Sequence, residues 1–257
     1  THIDDYEKAI SDKTKLLIWV HTSNYIIKGY TKEVPLEDIV NLGKKHNIPV
    51  VADLGSGTFL PLDKFGIPTE LPISEVVRKG PDIILFSGDK MLGGPQSGII
   101  LASRKIIDII KSNSIYRTVR CDKITIVMLD EIISSYRKHG FSNLNLTLSL
   151  LTSTREDLEK MGKSIVNNLP SKKIKMLGLS VENSLVEAGS GSLPEKNIES
   201  VALKFNSSVF SANKLSLLFK KSKVPIIGYI QKDSFFIDLK AILPSQESKI
   251  KKAINNI

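Results

Sequence analysis

The chain has 257 residues, 41% of them hydrophobic and 25% charged, with a formal net charge of +9. That supplies apolar material for a sizeable core, split over two domains, and excludes a disordered chain, which carries fewer aliphatics and a more lopsided charge. No run of roughly 18 consecutive apolar residues occurs, so a membrane-spanning helix is excluded as well.

Cys121 is the single cysteine, so no internal disulfide can form; beside Arg120 and Lys123 it reads as a half-buried thiol. His2, His46 and His139 stand without partners at metal-ligand spacing, so no metal site is expected. The expected compartment is the cytoplasm. Thr1-His2-Ile3-Asp4-Asp5 has neither a basic nor an apolar stretch and does not read as a secretory signal; without a starting Met, it reads as the interior of something longer. The positive charge attracts polyanions, RNA among them, at long range. Most of it is lysine interleaved with Ile and Leu, as in Lys249-Ile250-Lys251-Lys252, a pattern that favours a solvated helix face over a dedicated nucleic-acid stripe.

The first half alternates short apolar runs with helical patterns, the signature of a mostly parallel sheet covered by helices. Leu16-Leu17-Ile18-Trp19-Val20 reads as a strand. Pro35 opens a helix with Leu36, Ile39 and Val40 at helical spacing, closing before Pro49. Val50-Val51-Ala52 is a second strand. A helix through Val76 and Val77 ends at Gly80-Pro81, Ile83-Ile84-Leu85-Phe86 is a third strand and Gly98-Ile99-Ile100-Leu101 a fourth. From Asp122 to about Leu169 the pattern is helical, with Ile126, Leu129, Ile132 and Ile133 on one face, and reads as a connector. Beyond Pro170, the strand-like segments Ile174–Leu177, Val201–Phe205 and Phe235–Leu239 mix with helices near 212–221 and 245–255. The expected fold class is α/β, with a large domain over 1–145 and a smaller α+β domain over 146–257.

Polar groups follow three of the candidate strands: His21 to Asn24 after the first, Asp53 after the second, Ser87 to Lys90 after the third. In parallel α/β sheets the carboxyl edge is where ligands bind. Lys90, in Ser87-Gly88-Asp89-Lys90-Met91-Leu92-Gly93-Gly94, is held in a Gly-rich turn where a partly desolvated amine serves as a nucleophile able to form a Schiff base; the competing reading is a solvated loop lysine. Asp53, in Ala52-Asp53-Leu54-Gly55-Ser56-Gly57, is placed to pair with a cation such as a protonated pyridine nitrogen, or simply to cap a turn. Arg117 and Arg120 suit the two-point recognition of phosphate oxygens, against the alternative of a surface pair at a helix start. Gly189-Ser190-Gly191-Ser192 reads either as a turn approaching a ligand or as a tight turn alone.

His21-Thr22-Ser23-Asn24-Tyr25, Asp53-Leu54-Gly55-Ser56-Gly57, Lys64-Phe65-Gly66-Ile67-Pro68, the block from Phe86 to Gly98 and Gly191-Ser192-Leu193-Pro194 together resemble the bacterial selenocysteine synthase family, the L-seryl-tRNA(Sec) selenium transferases. The Ser-x-x-Lys spacing alone is shared by the aspartate-aminotransferase-like pyridoxal-phosphate fold; the Phe86–Gly98 block is far more specific. The resemblance implies pyridoxal 5'-phosphate as cofactor, bound by Lys90 as the aldimine lysine, Asp53 at the pyridine nitrogen, Ser87 at the phosphate, and Asn24 and His21 near the ring. It implies Arg117 and Arg120 at the anion site for selenophosphate, seryl-tRNA(Sec) as substrate, an aminoacrylate intermediate, and a homo-oligomer, a dimer or a ring of dimers. Neither DNA nor a membrane is expected as partner. The resemblance also implies an N-terminal region with tRNA contacts, and an early part of the large domain with a phosphate-binding loop and further active-site groups, both preceding the point where this sequence starts. Two other readings remain open: a related ammonia lyase or eliminase acting on a small phosphorylated amino substrate, and an inactive truncated fragment.

Overall fold

The computed structural model describes residues 1–21, 27, 29–65, 67, 71–137, 145–188 and 198–257. Asn24, His139 and the 189–194 segment singled out above lie outside the described residues. The chain divides into two compact units, Thr1–Leu148 with Glu187–Lys196, and Ser149–Val186 with Asn197–Ile257.

The first unit is built on β1 (Leu17–Val20), β2 (Val50–Asp53), β3 (Ile83–Ser87) and β4 (Gly98–Ala102), in that order across the sheet. β1, β2 and β3 run parallel, whereas β4 returns antiparallel to β3, with Ser87 opposite Gly98. The short link Gly88–Ser97 explains the reversal, since a parallel crossover needs a dozen or more residues. Helices α2 (Leu36–His46) and α3 (Ile73–Lys79) make the two crossovers. Their buried Leu36, Ile39 and Val76 cover a layer of Leu17, Trp19, Val50, Ala52, Ile84 and Phe86, and burying each such aliphatic side chain stabilises by roughly 1.5–3 kcal/mol. Asn47 and Gly80, both in the left-handed region, end the two helices and turn the chain into the next strand.

Three further short helices, α1 (Ile3–Ala9), α4 (Arg104–Ser112) and α5 (Ser114–Val119), belong to the first unit. The expected connector is divided: α6 (Lys123–Arg137) and α7 (Leu146–Leu151) begin within the first unit, and α8 (Arg155–Asn167) belongs to the second.

The second unit carries an antiparallel sheet in the order β5 (Leu179–Val186), β6 (Ile198–Phe205), β8 (Ser234–Asp238), β7 (Tyr229–Gln231). Alternate residues Leu179, Val201, Leu203, Phe205, Phe235 and Ile237 share one core with α8, α9 (Ser171–Leu177), α10 (Ala212–Lys220) and α11 (Glu247–Asn255), so the helices form a single layer over one sheet face. Phe219 stacks on Phe235 at 5.2 Å and meets Phe205 edge-on at 5.1 Å.

One expectation is overturned here. Ile174–Leu177, read as strand-like, is the second half of α9, and the strand starts two residues later, at Leu179. Straight-chain Lys, Met and Leu favour helix, Pro170 stands at its N-terminal boundary, and Gly178 closes it in the left-handed region at φ 53°. A Cβ on Gly178 would stand 2.0 Å from the backbone oxygen of Asn206. Gly178→Ala should therefore destabilise this unit by about 2–3 kcal/mol or more, checked by urea unfolding. The β7–β8 hairpin turns through Lys232 and Asp233, both at positive φ. Replacing this pair by Asn-Gly, which accepts that conformation readily, should stabilise by roughly 0.5–1 kcal/mol in the same assay.

Candidate active site

The parallel pairing of β1, β2 and β3 brings three sequence-singled groups to one edge. Val20 pairs with Asp53, and Asp53 with Leu85, so the strands end nearly level. The His21 backbone N–H donates to the Asp53 carbonyl at 2.8 Å, and the His21 ring stacks on Trp19 with centroids 5.7 Å apart. The Ser87 N–H donates to the Gly55 carbonyl at 3.0 Å, joining the turn after β2 to the end of β3. Lys90 follows Ser87 by three residues, no more than about 11 Å of backbone, and is half-buried.

Asp53 is half-buried at the end of β2. Its Oδ1 accepts the Gly55 N–H at 3.1 Å, which is the turn-capping role offered above as an alternative. Among the described residues Oδ2 accepts no hydrogen bond, so the cap occupies one oxygen and leaves the other for a cation. Gly57, at φ +62°, lies so close to the Phe86 ring that a Cβ would sit 2.7 Å from it, pressing this turn onto β3.

The lysine loop is fastened from below. The Gly88 N–H donates to the Ser97 carbonyl and the Gly94 N–H to the Gly88 carbonyl, both at 2.8 Å, while the Gly93 N–H donates to the Lys90 carbonyl at 3.0 Å. Met91 and Leu92 are buried beside the lysine. The Leu92 carbonyl accepts two side-chain donors, Tyr136 Oη and Asn145 Nδ2, each at 2.9 Å. Asn145 Oδ1 in turn accepts the Leu148 N–H at 3.1 Å, and Nδ2 lies 3.3 Å from the Tyr136 hydroxyl. Burial pushes the Tyr136 phenol well above its ordinary pKa, outweighing the opposing hydrogen bond from Asn145, so it stays protonated and donates. Gly93, at φ +75°, packs against Asn145, where a Cβ would stand 2.5 Å from Oδ1.

Sequence reasoning missed Tyr136 and Asn145. Tyr136 lies in an amphipathic helix and reads as core; Asn145 is one polar residue in a loop, and nothing local marks its partner 53 positions away.

The arginine pair is not at a helix start. Asn113 caps α5 by accepting the Ile115 N–H at 2.9 Å, so Arg117 falls in the last turn and Arg120 at the C-terminal cap. Cations suit that end of a helix, where the carbonyls point. Arg120 lines a groove of about 650 Å³ that reaches Gly98, the partner of Ser87. Arg117 is exposed and does not line it. Among the described residues no cluster of three or more His, Cys, Asp or Glu is placed to hold a metal ion.

A mostly parallel sheet with candidate groups at its carboxyl edge, followed by a helix-covered antiparallel unit, is the α/β architecture expected of an aspartate-aminotransferase-like fold. The same fold occurs in D-glucosaminate-6-phosphate ammonia-lyase, with a TM-score of 0.62 at 16% identity over 99% of this chain and 60% of that one. The sequence narrows the class. A model of the L-seryl-tRNA selenium transferase family matches residues 1–243. An L-seryl-tRNA(Sec) selenium transferase from Alkaliphilus oremlandii is 36% identical over 258 residues, covering 100% of this chain and 55% of the relative. One from Clostridium botulinum strain Loch Maree is 37% identical over 244 residues, covering 94% and 52%. The chain belongs to the L-seryl-tRNA selenium transferase family, and it spans about half the length of the curated relatives it matches.

Proposed function

We propose that the protein to which this chain belongs converts seryl-tRNA(Sec) to selenocysteyl-tRNA(Sec) with pyridoxal 5'-phosphate as cofactor and selenophosphate as selenium donor. The observation that carries the reading is the placement of Asp53 and the Gly-bounded Lys90 at neighbouring strand ends, in a chain whose family match covers residues 1–243.

The residues present fit the cofactor. Oδ2 of Asp53 is without a partner among the described residues and suits a protonated ring nitrogen, and glycines 88, 93 and 94 let the backbone close tightly around the lysine loop. Lys90 would hold the cofactor through Nζ. Ser87 would bind its phosphate, with His21 and Asn24 beside the ring. When bound, pyridoxal phosphate supplies an electron sink for charge developing at the substrate α-carbon. Lys90 Nζ would serve as the general base for the substrate α-proton. Asp53 would keep the ring nitrogen protonated. The ammonium so formed at Lys90 would return its proton to the seryl β-hydroxyl, which leaves as water, and Arg117 and Arg120 would hold the phosphate of the selenium donor. The protein acts in the cytoplasm as a homo-oligomer; no helix among the described residues is long and apolar enough to cross a membrane.

The deciding experiment incubates the full protein with seryl-tRNA(Sec) and selenophosphate and identifies the amino acid released from the tRNA. Selenocysteine is the expected product. Unchanged serine, together with ammonia release from a small phosphorylated amino substrate, would overturn the reading in favour of a lyase. Asp53→Asn should lower the rate by about 100-fold or more, as expected when a preorganised charge is removed.

A further inference from the structure

The excess positive charge is not spread through the molecule. The first unit holds 20 basic and 19 acidic residues, and the second 16 and 8, so the second unit accounts for +8 of the net +9. A lysine-rich composition alone would raise both units alike. Within the second unit the excess is further confined to one layer. The open sheet face pairs its charges, with Lys204 on Glu182 at 3.1 Å. On the helical side, α8 neutralises itself through Lys160–Asp157 and Lys163–Glu159.

Helices α9, α10 and α11, with the turn after α10, differ. They bear Lys172, Lys173, Lys175, Lys214, Lys220, Lys221, Lys223, Lys249, Lys251 and Lys252 against a single acid, Glu247, which pairs with Lys251 at 2.6 Å. The other nine lysines form no ion pair with any described carboxylate, and all but Lys173 are exposed. The apolar faces of the same helices, Leu177, Leu215, Phe219, Ile250 and Ile254, are buried in the core, which turns their lysines outward. Folding thus brings lysines that stand up to 80 residues apart in the chain to the helix-covered side of one sheet.

We propose that this lysine-bearing helical layer, α9–α11, is a docking surface for the phosphodiester backbone of RNA. Point charges on flexible stems suit a sequence-independent backbone contact, in which each neutralised phosphate releases condensed counterions. The choice of RNA rests on the seryl-tRNA reading above; the charge segregation does not, and neither does the test.

The test uses this chain and a fluorescently labelled, in vitro transcribed tRNA, with anisotropy followed between about 50 and 200 mM salt. Binding should weaken steeply with salt. The triple variant Lys220→Gln/Lys221→Gln/Lys223→Gln should weaken it about tenfold at low salt and lower the slope of log K against log salt by about 2. Lys172→Gln/Lys173→Gln/Lys175→Gln, on a different helix, should act alike. A control in the first unit, Lys13→Gln/Lys44→Gln/Lys105→Gln, should leave both quantities within about twofold, and all three should keep the parent circular-dichroism melt. Equal loss in the control, salt-independent binding or no binding at all would overturn the proposal. So would capture by phosphatidylserine vesicles that tRNA fails to displace, which would assign the layer to a lipid surface. Cofactor capture at Lys90 is read separately, so either result can fail while the other stands.

Discussion

Lys90→Ala should abolish covalent capture of pyridoxal phosphate. After incubation with cofactor and reduction by borohydride, peptide mass spectrometry of the parent protein should find the label on Lys90, and the variant should carry none above the background shared by the other 29 lysines. Its activity should fall on the order of 10⁴-fold or more, the scale set by removing a covalent nucleophile elsewhere. Stability should change by less than about 1 kcal/mol, because the half-buried side chain makes no hydrogen bond to the described residues and the turn is held by its backbone. Undiminished labelling and an unchanged rate in the variant would remove Lys90 from the chemistry. The readout is specific because the lysine loop is a defined structure, with Gly88, Gly93 and Gly94 each committed to a short hydrogen bond within it.

Asn145→Ala should be among the most destabilising substitutions in the first unit. The side chain is 1% exposed and joins three groups: the Leu92 carbonyl, the Tyr136 hydroxyl and the Leu148 N–H. Truncation leaves buried polar atoms with fewer partners and a small cavity, which together cost about 2–4 kcal/mol. For a unit of this size that corresponds to roughly 6–12 °C in Tm by calorimetry. Tyr136→Phe removes one donor from a carbonyl that keeps Asn145 and one acceptor from an Asn145 Nδ2 that keeps the Leu92 carbonyl, so about 1–2 kcal/mol is expected. The loss should also be local: amide exchange at Gly93 and Gly94 should accelerate more than at the β2 and β3 amides. A Tm within 1 °C of the parent would mean that the loop is held by its own backbone alone.

Much of this site is legible from sequence. Short apolar runs followed by Gly-rich polar segments mark strand ends, so Asp53 and Ser87 could be assigned to one sheet edge without coordinates, and the Phe86–Gly98 block pointed to a family. Ile174–Leu177 shows where such reading fails. Four residues cannot display a helical period, and apolar content without period does not separate strand from helix; the boundary residues Pro170 and Gly178 held the better signal.

What sequence alone determined here is therefore local: which segments are apolar with a period, where they stop, and which reactive side chains follow them. Tertiary structure decided the rest. The reversal of β4, the clamp that Tyr136 and Asn145 place on Leu92, the position of the two arginines at a helix end, and the gathering of lysines on the helix-covered side of one sheet all depend on contacts between distant residues. Periodicity reports the face a side chain takes on its own element, but which other element meets that face is settled only when cores close and buried polar groups find partners.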